Sequence, residues 1–105
     1  MILKIIIENV ILSSSCVNKI IEDSNLFFDT ENKFEDYKNE FICVDYSADM
    51  LSEKYYFLRI SDKKAFVLEI VDEFENISEE DIDKNFKLTE CDLSEYILER
   101  VKNLI

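Results

Sequence analysis

A single α+β domain, with a small antiparallel sheet in meander or hairpin order, an N-terminal strand and packed helices, is the fold class this 105-residue sequence predicts. Three observations point there. Eight Phe, five Tyr and a 48% hydrophobic share supply the apolar mass that a disordered acidic chain lacks. Runs rich in β-branched and aromatic residues flank a polar turn in the middle of the chain. Apolar residues at helical spacing follow Ser and Asp caps towards both ends. At 12.5 kDa, residues 1–105 fit one domain with one modest core, folding burying roughly 65% of the unfolded surface.

The elements follow in order. Residues 1–8 are short and β-branched, which predicts a largely buried strand. Ser13, Ser14 and Ser15 offer N-caps to a first helix, in which Cys16, Val17, Ile20 and Ile21 line one face and which ends near Ser24 or Asn25. Phe34, Tyr37 and Phe41 recur at i, i+3 and i+7, the spacing of a short second helix within residues 29–40. Residues 41–46 read as a second strand. Residues 55–60 and 65–71 make the clearest strand pair, with residues 61–64 as the turn. With Ile60 opposite Ala65, one side of this ribbon carries Tyr56, Leu58, Ile60 and Val67, and the other Tyr55, Phe57, Phe66, Leu68 and Ile70. Both sides are apolar, so either helices cover both or one side meets a partner. Ser78 and Asp81 resemble a capping box with Ile77 and Ile82 as its staple, predicting a short acidic helix. Asp92 and Glu95 repeat the device before a terminal helix marked by Leu93, Tyr96, Ile97, Val101 and Leu104.

Composition removes most chemistry. The chain has no Gly, Pro or His, which excludes a Ser-His-Asp triad, a Cys-His pair, a Walker loop and a dinucleotide fingerprint. What remains is carboxylate chemistry: an acid pair of glycosidase type or a Mg²⁺ site held by two or three acids. No acid sits alone in an apolar setting, Glu69 within residues 67–71 coming nearest, and a solvated strand face explains it. No catalytic residue, metal or cofactor is expected. Cys16, Cys43 and Cys91 are odd in number and lack metal-type spacing, so they read as buried free thiols. The run of residues 5–12 is broken by Glu8 and Asn9 and reads as structure and not as a leader; no stretch approaches the ~20 apolar residues of a membrane span, so a cytoplasmic protein is expected.

Residues 81–92 resemble the calcium loop of EF-hand proteins, with Asp81, Asp83, Asn85, Leu88 and Thr89 at matching positions. The string departs where the loop is most demanding. Phe86 stands where the family needs Gly for a sharp turn, and Asp92 replaces the bidentate Glu.

Charge is the strongest signal. Asp and Glu number 24 against 12 Lys and Arg, a net charge of -12. Residues 22–53 and residues 65–83 each carry net -8, the second stretch with no base at all. A charge run often only keeps a protein soluble. Here Glu69, Asp72, Glu73, Glu75, Glu79, Glu80, Asp81 and Asp83 are concentrated enough to present a negative surface to a positively charged groove, which speeds association by orders of magnitude. Direct nucleic-acid binding is disfavoured by repulsion from phosphates, and the target is instead a protein that binds nucleic acid.

Small size, acidity and an empty catalytic inventory resemble, as a class, the inhibitors that neutralise toxins, such as bacterial immunity proteins. The resemblance implies a cytoplasmic inhibitor that covers the basic active site of a nuclease toxin, the acids of residues 69–83 steering it and Tyr55, Tyr56 and Phe74 anchoring it. Two alternatives stay open: an anti-defence protein of anti-CRISPR type that mimics nucleic-acid charge, and a non-catalytic assembly subunit held by apolar surface. The oligomeric state is left open.

Overall fold

The computed structural model describes residues 7–29, 36–71 and 84–102. Strand β1 (Asn9–Ser13) leads directly into helix α1 (Ser14–Phe28), followed by strands β2 (Phe41–Ala48), β3 (Ser52–Arg59), β4 (Ala65–Val71) and β5 (Asn85–Cys91) and helix α2 (Glu95–Lys102). The strands form one five-stranded sheet in the order β1-β5-β4-β3-β2, every neighbouring pair antiparallel. The fold class is α+β, as the sequence predicts. Strands β2 to β5 are neighbours in sequence order, a meander, and α1 follows β1 at the opposite edge of the sheet from β2.

Helix α1 begins where the serines place it. Ser13 is extended, and its hydroxyl accepts from the Cys16 amide at 3.2 Å, satisfying one of the helix's orphan donors. The helix runs past the expected end at Ser24 or Asn25 because Ser24 is itself a buried position: Val17, Ile20, Ser24 and Phe27 are the inward residues, a continuous stripe at helical spacing. Ser24 Oγ donates to Ile20 O at 2.6 Å and accepts the Cys43 amide at 2.8 Å. A polar side chain on the helix thereby closes a hydrogen bond on the outer edge of β2, beyond which no strand stands among the described residues.

The core lies on both faces of the sheet. On one, Val17 and Ile20 of α1 pack on Phe41, Phe57, Phe66, Leu68 and Leu88. Phe57 and Phe66 are fully buried and directly opposed across β3 and β4, each such ring contributing roughly 1.5–3 kcal/mol. On the other, Ile97 and Val101 of α2 pack on Ile42, Val44 and Leu58, with Phe27 from the last turn of α1. The expected alternative of a helix on each side is therefore met, with α2 packing on β2 and β3 and leaving Ile11 and Val71 more than half exposed.

The ribbon register differs from expectation by two residues. Leu58, not Ile60, lies opposite Ala65, because the connection is longer than the predicted turn: the Arg59 amide donates to Lys64 O at 2.8 Å and Lys63 takes φ 60. An even shift preserves the side of every residue, so both predicted faces stand. The left-handed Lys63 costs on the order of 1 kcal/mol. Arg59 offsets it with a two-sided clamp, to Asp62 at 3.0 and 2.6 Å and to Glu8 at 2.8 and 2.9 Å, its guanidinium lying 5.0 Å from the Phe66 ring centre.

Other expectations are corrected. The first strand is Asn9–Ser13; residues 7 and 8 precede it, and residues 1–6 lie outside the described residues. Of the second helix, Phe34 lies outside them too, and residues 37–40 are not helical, Tyr37 joining the α2-side core. Residues 85–91 of the calcium-loop resemblance are strand β5, paired to β1 from Asn85↔Ser13 to Thr89↔Asn9, and an extended strand cannot wrap an ion. The terminal helix is capped by Ser94, whose hydroxyl accepts the Ile97 amide at 3.4 Å, and not by Asp92. Tyr96, expected on its inner face, is 74% exposed. The predicted capping box at Ser78 lies outside the described residues. All three cysteines are free, as expected, but half-buried.

Candidate interaction site at the open end of the sheet

Two structural devices gather exposed apolar side chains and acids at one end of the sheet. The first is the turn between β2 and β3. Asp49 Oδ1 accepts the Leu51 and Ser52 amides, each at 2.8 Å, and the Ser52 hydroxyl at 3.3 Å, while the Asp49 amide donates to Ser52 O at 2.9 Å. These bonds hold the Asp49 carboxyl below its ordinary value, those from the Leu51 and Ser52 amides most of all. They also hold two apolar residues in water: Met50 is 97% exposed and Leu51 67%. A turn that is fixed by its own Asp and carries Met and Leu at its tip loses little entropy on binding. Val71, also exposed, lies opposite Ser52.

The second device is the irregularity in β2. Pairing with β3 shifts between Cys43 and Asp45, so that Cys43 opposes Phe57 while Asp45 opposes Tyr56. Beyond this bulge Tyr46, Ser47 and Ala48 are exposed, and Tyr46 tilts at 43° over Tyr55 on β3, ring centres 4.7 Å apart. Tyr46 also donates its hydroxyl to Glu53 at 3.0 Å. That bond, chiefly, raises the Tyr46 phenol above its ordinary value; burial does the same for Tyr55.

Between the bulge, the end of α1 and α2 lies a groove of about 480 Å³. Its walls include Phe28, Cys43, Tyr46 and Tyr55, with Asp29 and Asp45 among its polar groups and Arg100 reaching in from α2. Arg100 is held loosely: its guanidinium is 3.6 Å from Asp45, 5.4 Å from the Phe28 ring centre and about half exposed. Burial pushes the Cys43 thiol up to about 11, only partly opposed by its contact with Asp45 O at 3.6 Å, so it is a poor nucleophile.

The residues singled out from sequence divide four ways. Tyr55 lines the groove. Tyr56, its neighbour, points to the opposite face and packs against the α2-side cluster, so the two cannot anchor one flat contact. Glu69 is on the sheet surface, paired with Lys54 at 3.6 Å. Asp72, Glu73, Phe74, Glu75, Glu79, Glu80, Asp81 and Asp83 lie outside the described residues. The acidic run is nonetheless joined covalently to Val71, whose partner Ser52 begins β3 beside the Met50 turn. Sequence reasoning missed Tyr46, Met50 and Leu51. The available signal was Asp49-Met50-Leu51-Ser52, two apolar residues framed by turn formers.

Among the described residues no three Cys, Asp or Glu side chains gather as a metal site, and no helix is long and apolar enough to cross a membrane. What the fold and this end of the sheet define is a five-stranded α+β domain with a rigid, apolar, acid-rimmed tip. No family model matches the chain, and neither a curated protein nor a solved structure does.

Proposed function

We propose that the protein is a non-catalytic acidic inhibitor that binds a basic, nucleic-acid-acting toxin in the cytoplasm and covers its active site, as immunity proteins do. The observation that carries this reading is the Met50-Leu51 tip, held by Asp49 and next to Glu53 at the start of β3, in a chain of net charge -12. Exposed apolar residues held in place supply the buried centre an interface needs, and surrounding carboxylates supply steering towards a positive groove. At one interface of a nuclease with its protein inhibitor, close charge pairs couple by about 1.5 to 7 kcal/mol, enough for a small acidic protein to hold a basic enzyme tightly.

The same exposed apolar residues favour a second reading, a subunit held in an assembly by apolar contact. Salt separates the two, since steering between exposed charges is screened within about 8 Å at physiological ionic strength and apolar burial is not. The test is a tagged pull-down from the native cell, eluted with 0.5 M salt and then with denaturant, with mass-spectrometric identification. A basic nuclease in the salt eluate is the expected result. An uncharged partner released only by denaturant replaces the inhibitor with the subunit.

A further inference from the structure

The chain has two arginines, and they are held in opposite ways. Arg59 makes four short hydrogen bonds to two carboxylates and its side chain is 13% exposed. Among the described residues Arg100 has only a 3.6 Å approach to Asp45 and an aromatic face at 5.4 Å, with its side chain 47% exposed. It occupies one side of a groove far larger than a guanidinium. The same groove is lined by the Tyr46-Tyr55 pair and a second carboxylate, Asp29, which pairs with no cation among the described residues.

Carboxylates beside aromatic faces are the chemistry that recognises a guanidinium: bidentate hydrogen bonds at the edge and cation-π contact with the plane. From this we propose that the groove is a receptor for an arginine side chain of the basic partner, and that Arg100 is its loosely seated intramolecular occupant. An incoming arginine takes the carboxylate of Asp45 together with that of Asp29 and stacks on the Tyr46 ring. Arg100 swings outwards, since among the described residues no hydrogen bond holds its seat. The choice of occupant follows from charge: two carboxylates and one movable cation leave the groove short of positive charge, and a basic partner brings it. This deepens the inhibitor reading and rests on it for the source of the arginine, though the site itself can be tested without any partner.

The probe is N-acetyl-arginine amide, titrated into the full chain and followed by amide chemical shifts, with N-acetyl-lysine amide and N-acetyl-glutamine amide as controls. The expected result is saturable shifts centred on residues 43–46 and 29, stronger for the arginine probe than for lysine and absent for glutamine. Asp45→Asn should weaken the arginine probe about threefold, the size of a partly exposed ion pair. Arg100→Gln should strengthen it by a similar factor by removing the competitor, an effect opposite in sign to that of a merely structural arginine. Shifts scattered over the acidic surface, or weaker binding in Arg100→Gln with an unchanged melting temperature, overturn the proposal. Because these readouts need no nuclease, a groove that ignores arginine leaves the inhibitor reading standing on the pull-down, and a failed pull-down leaves the groove standing on the titration.

Discussion

Ser24 shows how much one side chain can organise. As a serine inside a helix it read as the place where α1 stops, yet it is 1% exposed and joins α1 to β2 through the Cys43 amide. Ser24→Ala leaves that amide without its acceptor, and an unsatisfied buried donor costs about 1–3 kcal/mol; urea denaturation should show the midpoint fall with no change in slope, and an unmoved midpoint would show that water replaces the hydroxyl. Arg59 governs the response to acid. Its hydrogen bonds, first among the causes, hold Glu8 below the ordinary carboxylate value and Asp62 down to about 2. Both carboxyls are more acidic folded than unfolded, so the stability they contribute is full above about pH 4.5 and is lost as pH falls towards 2. The melting temperature should drop across that window, and Arg59→Gln should flatten the drop; an equally steep profile in the variant would assign the acid response to other groups. Cys43, with its thiol raised to about 11, carries about a hundredfold less thiolate at pH 8 than an ordinary thiol. Native alkylation with iodoacetamide should spare it and unfolding in urea should expose it, while equal rates in both states would contradict the burial that raises it.

At the scale of elements, α2 is the part most dependent on tertiary contact. Eight residues are too few for a helix to persist alone in water, and Ile97 and Val101 are its only buried positions. Ile97→Ala should therefore cost about 2–5 kcal/mol, read from urea unfolding, and should free the α2 amides to exchange with solvent faster than those of β3. Strand β2 has the opposite character, guarded over its first half by α1 and exposed beyond its bulge, where strand edges are ordinarily blunted by charge; Asp45 at the bulge is the charged residue of the strand itself. The hairpin between β3 and β4 was legible because strand-length apolar runs bracket a polar tetrapeptide. Its exact register was not, since the loop absorbed two further residues through a backbone conformation at Lys63 that no residue type announces.

For the whole molecule, the test of function is how binding responds to charge and to apolar surface separately. Met50→Ser with Leu51→Ser removes the tip at little expense to folding, since exposed substitutions shift stability within about 0.5 kcal/mol. Affinity for the captured partner should fall about 30-fold or more if these two residues are the anchors, measured by calorimetry. Charge reversal at Asp72, Glu73 and Glu75 should instead slow association and reduce its salt dependence, leaving dissociation nearly unchanged. A triple variant with the parent's association rate and salt slope removes electrostatic steering from the account.

The amino-acid sequence by itself determined the class of fold, the start of α1 at the serines, the two faces of the central ribbon and the acidity of the chain, because each depends on local periodicity, local capping or composition. It also settled what chemistry is excluded, since no arrangement can supply an imidazole that the chain lacks. Strand β5 escaped notice because its alternation is short, Phe86 and Leu88 between Asn85, Lys87 and Thr89 before Glu90 breaks it, and only pairing with β1 and β4 fixes it as strand. The tertiary structure alone decided that a helix flanks each side of the sheet, that Tyr46 joins Tyr55 across a bulge, and that Arg100 reaches Asp45 in a groove that Asp29 also lines. Those residues are separated by up to 71 positions in the chain, and contacts between distant residues follow from how helices and strands pack, an outcome that no short stretch of sequence encodes.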